Sequence, residues 1–127
     1  SKLLKPADTV VCIHDRILGK PADRKEAISM LRKLSGNRHL VVTGVSVTTR
    51  TEQLSFSSRT DVFFKHLSNE EIIFYVDTYK PFDKAGAYGI QEWIGYIGIE
   101  RIEGSFYNVM GLPIQKLYET LRKLQFQ

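Results

Sequence analysis

Two consecutive segments with strand character constrain the fold of this chain most strongly. The first, residues 39–51, places valine or threonine at every second position from Val41 to Val47, which is the period of a strand with one buried face. Residues 54–65 follow after a short polar stretch and are predicted to be its antiparallel partner. Gly44 interrupts the first strand and is expected at a bulge or a close backbone approach. A hairpin of this length forms the centre of a sheet, around which the other elements must pack.

Two further strands are predicted ahead of this hairpin. Residues 7–13 form a short apolar run typical of a buried strand, and a turn at residues 14–15 leads to a short return strand over residues 16–19. Cys12 lies in the apolar run and is interpreted as a small buried side chain. It is the single cysteine of the chain, so no internal disulfide can form. A reducing compartment, the cytoplasm, is therefore expected.

Helices are predicted where capping residues precede a helical apolar pattern. Asp23 with Glu26 and Ser68 with Glu71 have capping-box spacing. The second box is followed by a stripe that is predicted to face the core, formed by Ile72, Tyr75, Val76 and Tyr79. Each box therefore marks the start of one helix.

The C-terminal third adds a strand and a last helix. Residues 97–103 are predicted as a strand, residues 104–111 as a loop or distorted strand end, and Pro113 as the first turn of a final helix. The class is α/β or α+β: one domain over residues 1–127, with a mixed, largely antiparallel sheet and long central strands flanked by helices. A strand that begins at residue 7 without a preceding element lacks a neighbour, so an N-terminal portion is expected to be missing.

The segment Asp83–Gln91 holds the densest group of residues suited to binding. Its sequence, Asp-Lys-Ala-Gly-Ala-Tyr-Gly-Ile-Gln, combines two charges, two glycines and a terminal amide. Glycines allow positive φ and close contact between a backbone and a ligand, and the polar side chains favour an anionic ligand. An ordinary surface turn is the alternative, since glycine clusters commonly mark turns.

Three side chains, one of them in this segment, could act on such a ligand. Asp8 stands beside Thr9 at the start of the first strand, where a carboxylate can hold a metal ion or activate water. Lys20 follows the short return strand, and Lys84 lies in the glycine-rich segment; both suit a phosphate. A turn-capping aspartate and solvated surface lysines are the alternatives.

Several other classes of function find no support in the sequence. The net charge is +4, but no basic run or aromatic–basic repeat indicates a nucleic-acid partner. The three histidines have no zinc-like spacing. No apolar segment is long enough to predict a membrane span.

A series of ordered blocks in the chain resembles the Maf family of nucleoside triphosphate pyrophosphatases. The similarity extends from Ala7 to about Leu124, and the glycine-rich segment is its strongest part. The blocks are Ala7-Asp8-Thr9-Val10-Val11, Ile17-Leu18-Gly19-Lys20-Pro21, Leu34-Ser35-Gly36 with His39, Thr43-Gly44-Val45, Leu67-Ser68 with Glu70-Glu71-Ile72, residues 83–91, and Ile102-Glu103-Gly104-Ser105 with Asn108-Val109-Met110-Gly111-Leu112-Pro113.

The resemblance implies hydrolysis of a nucleoside triphosphate to the monophosphate and pyrophosphate, assisted by Mg²⁺ or Mn²⁺. By analogy, Asp8 would accept a proton from the attacking water and is a candidate metal ligand, while Lys20 would neutralise phosphate charge. Thr9 and Gln91 resemble the subgroup that prefers dTTP and UTP. A cytoplasmic enzyme that forms a homodimer and removes unwanted nucleotides is implied.

The chain also departs from the family pattern. Family members begin with a strand and a loop rich in serine and arginine that grips the triphosphate, and neither precedes Ala7. A non-catalytic nucleotide-binding or interaction module is therefore the alternative to an enzyme. A basic nucleic-acid binder is a third reading, which rests on net charge alone.

Overall fold

The predicted hairpin forms the centre of a five-stranded sheet. The computed structural model describes residues 3–48, 50–109, 118–119 and 122–123, with the backbone alone for residues 3–8, 47, 107 and 108. The elements are β1 (Leu3–Ile13), β2 (Arg16–Leu18), α1 (Arg24–Leu34), β3 (Arg38–Thr48), β4 (Gln53–Phe64), α2 (Asn69–Tyr79), a 3-10 turn (Ala85–Ala87), α3 (Trp93–Gly98), β5 (Ile99–Glu103) and α4 (Phe106–Val109). The strand order is β2-β1-β3-β4-β5, and all four pairings are antiparallel. The predicted α/β class with a largely antiparallel sheet is confirmed.

One face of the sheet carries the core. Val41, Thr43 and Val45 of β3 are buried, as their alternation predicted, and Val41 pairs with Val11 of β1. The α1 and α2 helices supply further large core side chains, including Leu31, Leu34, Ile72, Tyr75 and Val76. Cys12 lies next to Val11 and points to the opposite face, where it is half-buried rather than buried. The interpretation of Cys12 as a buried side chain is therefore wrong.

The irregularity expected at Gly44 lies in the neighbouring strand instead. The β1–β3 register shifts between Lys5 and Asp8, whereas β3 runs through Gly44 in unbroken register with β4. Pro6 falls within the shifted segment, and proline cannot donate a backbone hydrogen bond to a ladder. A Cβ at Gly44 would meet no atom closer than the Phe56 carbonyl oxygen at 4.0 Å. Neither a bulge in β3 nor a close approach explains this glycine.

Both predicted helix starts are confirmed. The Asp23 side chain accepts a hydrogen bond from the Glu26 N–H at 2.8 Å. At α2, the Ser68 N–H donates to the Glu71 carboxylate at 2.8 Å and the Glu71 N–H donates to the Ser68 hydroxyl at 3.1 Å. The prediction that Tyr79, the last residue of the apolar stripe, faces the core is wrong, because this side chain is 37% exposed.

The segment after β5 differs from the predicted loop. It forms the short helix α4, and its start is fixed by two hydrogen bonds of 3.2 Å between the Thr60 hydroxyl and the backbone of Ser105. The Pro113 start of the predicted final helix lies outside the described residues. Of that helix, residues 118–119 and 122–123 are described and are helical. Among the described residues, none of the helices combines the length and apolar character that a membrane span requires.

Candidate functional site

A cavity of about 590 Å³ opens where β1, the end of β2 and the segment between α2 and α3 meet. Its volume is in the range of small-molecule sites. The sheet provides a partly apolar floor, and the glycine-rich segment provides most of the wall. The lining residues are Thr9, Val11, Gly19, Lys20, Val41, Asp83, Lys84, Ala85, Tyr88, Gly89, Ile90, Gln91, Glu92 and Val109.

The glycine-rich segment is held against β1 and the turn after β2. The Gly86 N–H donates to the Gly19 carbonyl oxygen at 3.1 Å, and Gly86 has a φ of 71°. A Cβ on Gly86 would lie 3.0 Å from a Val11 methyl group. Glycine is therefore required here both for its backbone conformation and for close packing. The next residue, Ala87, is fully buried with a φ of 64°, an uncommon conformation for a residue with a side chain.

Lys84 lies between two carboxylates at the cavity wall. Its Nζ is 3.1 Å from Asp83 Oδ1 and 3.6 Å from Glu92 Oε1. Partial burial lowers the Lys84 pKa, but the hydrogen bond to Asp83 and the attraction of Glu92 outweigh this effect and the pKa is raised. The lysine is therefore a cation at neutral pH, with 35% of its side chain exposed to meet an anion.

Lys20 brings a second positive charge to the same cavity. It is exposed just after β2 and lines the cavity. The Asp83 pKa is lowered chiefly by the Lys84 hydrogen bond, and the charge of Lys20 also contributes. Lys84 pairs with Asp83, and the charge of Lys20 also acts on that carboxylate. The two predicted lysines therefore bring two positive charges to one cavity, where they could meet a polyanion.

Thr9 and Gln91 also line the cavity, whereas the side chain of Asp8 lies outside the described structure. Thr9 Oγ1 is 3.2 Å from Thr43 Oγ1, so its hydroxyl is held by the neighbouring strand. Gln91 is exposed at the end of the glycine-rich segment. Asp8 is described by its backbone, which pairs with Gly44 in the β1–β3 ladder, directly before Thr9. The structure therefore brings together Thr9, Lys20, Lys84 and Gln91.

Sequence reasoning missed a carboxylate and a tyrosine that support Lys84. Glu92 is 22% exposed, and its Oε1 accepts a hydrogen bond from the Tyr75 hydroxyl at 2.9 Å. That hydroxyl in turn accepts a bond from the Gly89 N–H at 3.1 Å. The sequence signal that could have identified Glu92 is its position directly after Gln91, the last residue of the glycine-rich segment. The helical stripe predicted burial of Tyr75 but carried no sign of these contacts.

A buried histidine anchors the other side of the segment. His39 Nε2 lies 2.7 Å from the Tyr88 hydroxyl, and both rings contact Phe64. Among the described residues, His39 Nδ1 has no hydrogen-bond partner. Burial lowers the His39 pKa to about 4, so the imidazole is neutral at physiological pH. Burial likewise raises the Tyr88 pKa, and the tyrosine remains a neutral hydrogen-bonding group.

The described donors suit a cation that arrives with its own ligands. No group of three or more histidine, cysteine, aspartate or glutamate side chains is arranged to hold a metal ion within the described part of the chain. The described carboxylates at the cavity are Asp83 and Glu92. Mg²⁺ commonly uses one or two carboxylates together with phosphate oxygens and water. Asp83 and Glu92 match that mode in number and type, but both contact Lys84, so a metal ion would compete with the lysine for them.

Comparison with known proteins matches nearly the whole chain to one family. The family model described as Maf-like protein covers residues 2–124. A protein named dTTP/UTP pyrophosphatase from Bacteroides thetaiotaomicron is 60% identical over 123 residues, which are 97% of this chain and 64% of the relative. A protein of the same name from Porphyromonas gingivalis strain W83 is 62% identical over 122 residues, 96% of this chain and 61% of the relative.

A third relative that is also named dTTP/UTP pyrophosphatase is less similar to the chain. The protein from Cytophaga hutchinsonii is 52% identical over 122 residues, which are 96% of this chain and 56% of the relative. The chain thus spans about three fifths of the length of these curated relatives. The match of the family model over residues 2–124 and these identities show that the chain belongs to the Maf-like protein family.

Proposed function

We propose that this chain carries the nucleotide site of a pyrophosphatase that hydrolyses dTTP and UTP to the monophosphate and pyrophosphate. The observation that carries the proposal is that Thr9, Lys20, Lys84 and Gln91 line one cavity. Relatives 52–62% identical to the chain are named dTTP/UTP pyrophosphatase. A cavity with two lysines at its wall favours a ligand with several negative charges.

Lys20 and Lys84 would bind the triphosphate and stabilise the charge that develops during hydrolysis. Phosphoryl transfer depends mainly on positioning and on electrostatic stabilisation. Lys84 is already a cation between two carboxylates. A phosphate oxygen can share this cation with Glu92 or replace Asp83, which is 76% exposed and thus weakly held.

Asp8 is proposed as the general base that accepts a proton from the attacking water. Its backbone pairs with Gly44 in the β1–β3 ladder, directly before Thr9, and the family resemblance is what assigns it this role. A carboxylate can take up this proton when it lies within hydrogen-bonding reach of the water. Asp8 would also hold a divalent cation, Mg²⁺ or Mn²⁺, which when bound supplies charge neutralisation to the phosphates.

Thr9 and Gln91 are proposed to select the base. The Gln91 amide offers a donor and an acceptor at the edge of the cavity, which suits the imide edge of thymine or uracil. The Thr9 hydroxyl is oriented by Thr43 at 3.2 Å. Together they favour thymine and uracil, which have an N–H between two carbonyl groups, over cytosine, which does not.

The test is a pyrophosphate-release assay with dTTP, UTP, CTP and GTP in Mg²⁺, with the Bacteroides thetaiotaomicron relative run in parallel. Turnover of dTTP and UTP ahead of the other two supports the proposal. Binding without turnover in this chain would instead favour the non-catalytic module. Asp8→Asn is expected to abolish turnover and leave the circular dichroism spectrum unchanged. Asp15→Asn is the matched control, because Asp15 is exposed with a φ of 61° that asparagine tolerates.

The proposal also includes a homodimer and a cytoplasmic location. The first is checked by sedimentation equilibrium at several protein concentrations. The second is checked by fractionation of cells that express the protein. Neither depends on the cavity, so each can fail without affecting the nucleotide assignment.

A further inference from the structure

A carboxylate at the wall of a cavity suited to a polyanion needs an explanation. Glu92 lines the cavity and would repel a phosphate if it acted alone. Its Oε1 is, however, 3.6 Å from Lys84 Nζ and 2.9 Å from the Tyr75 hydroxyl oxygen. The same carboxylate oxygen therefore accepts a hydrogen bond from a fixed hydroxyl and lies near the lysine cation.

Which group donates in each of the two hydrogen bonds of the Tyr75 hydroxyl follows from the chemistry of its partners. The Gly89 N–H donates to the Tyr75 hydroxyl oxygen, which leaves the hydroxyl proton for Glu92, since a carboxylate accepts only. Tyr75 itself is fully buried in the core on α2, so its hydroxyl cannot shift without moving the helix. It thus fixes both the glycine-rich segment and the Glu92 carboxylate.

Gly89 leaves the space in which these side chains meet. A Cβ at this position would lie 2.6 Å from Glu92 Oε1 and 2.9 Å from Lys84 Cε. Both side chains therefore cross directly over the glycine. The approach of Lys84 to Glu92 depends on that opening.

We propose that Tyr75 and Glu92 are positioning residues that hold Lys84 at the cavity wall, where it meets the phosphates of a bound nucleotide. This inference rests on the proposed function. A free lysine loses considerable side-chain entropy when it is ordered, and a lysine that is already held loses less on binding. When a phosphate oxygen takes the place of the exposed Asp83 carboxylate, Lys84 keeps its contact with Glu92 and Glu92 keeps the Tyr75 hydroxyl.

A double-mutant cycle tests this inference, with the affinity for α,β-imido-dTTP in Mg²⁺ measured by isothermal titration calorimetry. Tyr75→Phe is expected to weaken binding about fivefold in the wild-type background and to have no further effect in a Lys84→Met background. Equal weakening in both backgrounds would overturn the inference and reduce Tyr75 to a structural residue. Tyr79→Phe is the matched control on the same helix, because its ring stacks on Tyr75 but is 37% exposed.

A second measurement keeps the inference separable from the proposed function. The Lys84 ammonium is titrated by NMR in the wild type and in Glu92→Gln, which keeps an acceptor for Tyr75 and removes the charge. A lower Lys84 pKa in the variant supports the positioning role, and an unchanged pKa overturns it. If the wild type binds no nucleotide while Lys84 still responds, the proposed function fails and the contact between Glu92 and Lys84 stands.

Discussion

The Gly86 backbone N–H donates to the carbonyl oxygen of Gly19 at 3.1 Å. This bond joins two segments that lie far apart in the sequence, the turn that carries Lys20 and the segment that carries Lys84. Gly86 reaches this position with a φ of 71°, and Val11 packs against the place where its side chain would be. The distance between the two lysines therefore depends on one glycine.

Substitution of Gly86 by alanine is expected to destabilise the fold by roughly 1–3 kcal/mol, because the new Cβ meets both an unfavourable φ and the Val11 side chain. Urea denaturation measures the change. Gly19→Ala is the control, since a Cβ there has no atom within 4 Å, and it should change the free energy of unfolding little. Equal losses in the two variants would contradict the argument.

Replacement of Lys84 by methionine is expected to weaken nucleotide binding about tenfold, a change of about 1.4 kcal/mol. The substitution keeps the aliphatic stem and removes the charge that lies between Asp83 and Glu92. The remaining affinity should also depend less on salt, because screening acts on the lost attraction. Lys33→Met, at an exposed position on α1, should leave affinity and salt dependence unchanged in the same calorimetric titration.

Acid should weaken the fold through His39. Its pKa is about 4 in the folded protein because it is buried, and near 6.5 in the unfolded chain. Below pH 6.5 the unfolded state takes up a proton that the folded state does not, so stability is full above that pH and is lost as the pH falls towards 4. The contribution is on the order of 3 kcal/mol, measured by urea denaturation at a series of pH values.

The variant that isolates this effect is His39→Phe. The phenylalanine ring can retain contact with Phe64 but has no titrating nitrogen, so stability should change less between pH 6.5 and 4 than in the wild type. His14→Asn is the control that removes a surface histidine, at an exposed turn position with a φ of 49° that asparagine tolerates. An unchanged acid dependence in His39→Phe would show that other groups cause the loss.

The sequence allowed the parts of the fold that follow from local chemistry to be predicted. The Ser68 capping box has both of its hydrogen bonds, and the buried face of β3 follows its alternation at Val41, Thr43 and Val45. The glycine-rich segment was identified by composition, and the position of Lys20 on the same cavity followed from the family resemblance. Each of these features is determined by residues close together in the sequence or belongs to a short sequence motif.

The parts that were not predicted depend on contacts between distant segments. The α3 helix contains Gly95 and Gly98 in six residues, a composition with low helix propensity. It forms where Gly98 fits against Phe64 and Leu67. The link from Tyr75 to Glu92 likewise needs the three-dimensional arrangement, because an apolar stripe predicts that a tyrosine is buried but not what its hydroxyl meets.

The start of α3 gives a last prediction, which concerns Gly95. A Cβ on Gly95 would collide with the Ile90 carbonyl oxygen, and the Gly95 N–H donates to the Glu92 carbonyl oxygen at 2.9 Å. Since backbone cannot move aside as a flexible side chain can, Gly95→Ala should cost at least about 3 kcal/mol of stability. It should also weaken nucleotide binding, because the same turn directs Gln91 and Glu92 to the cavity. Gly44→Ala, whose Cβ has 4.0 Å of clearance, should unfold near the wild-type urea concentration. A Gly95→Ala variant with wild-type stability would mean that α3 starts differently.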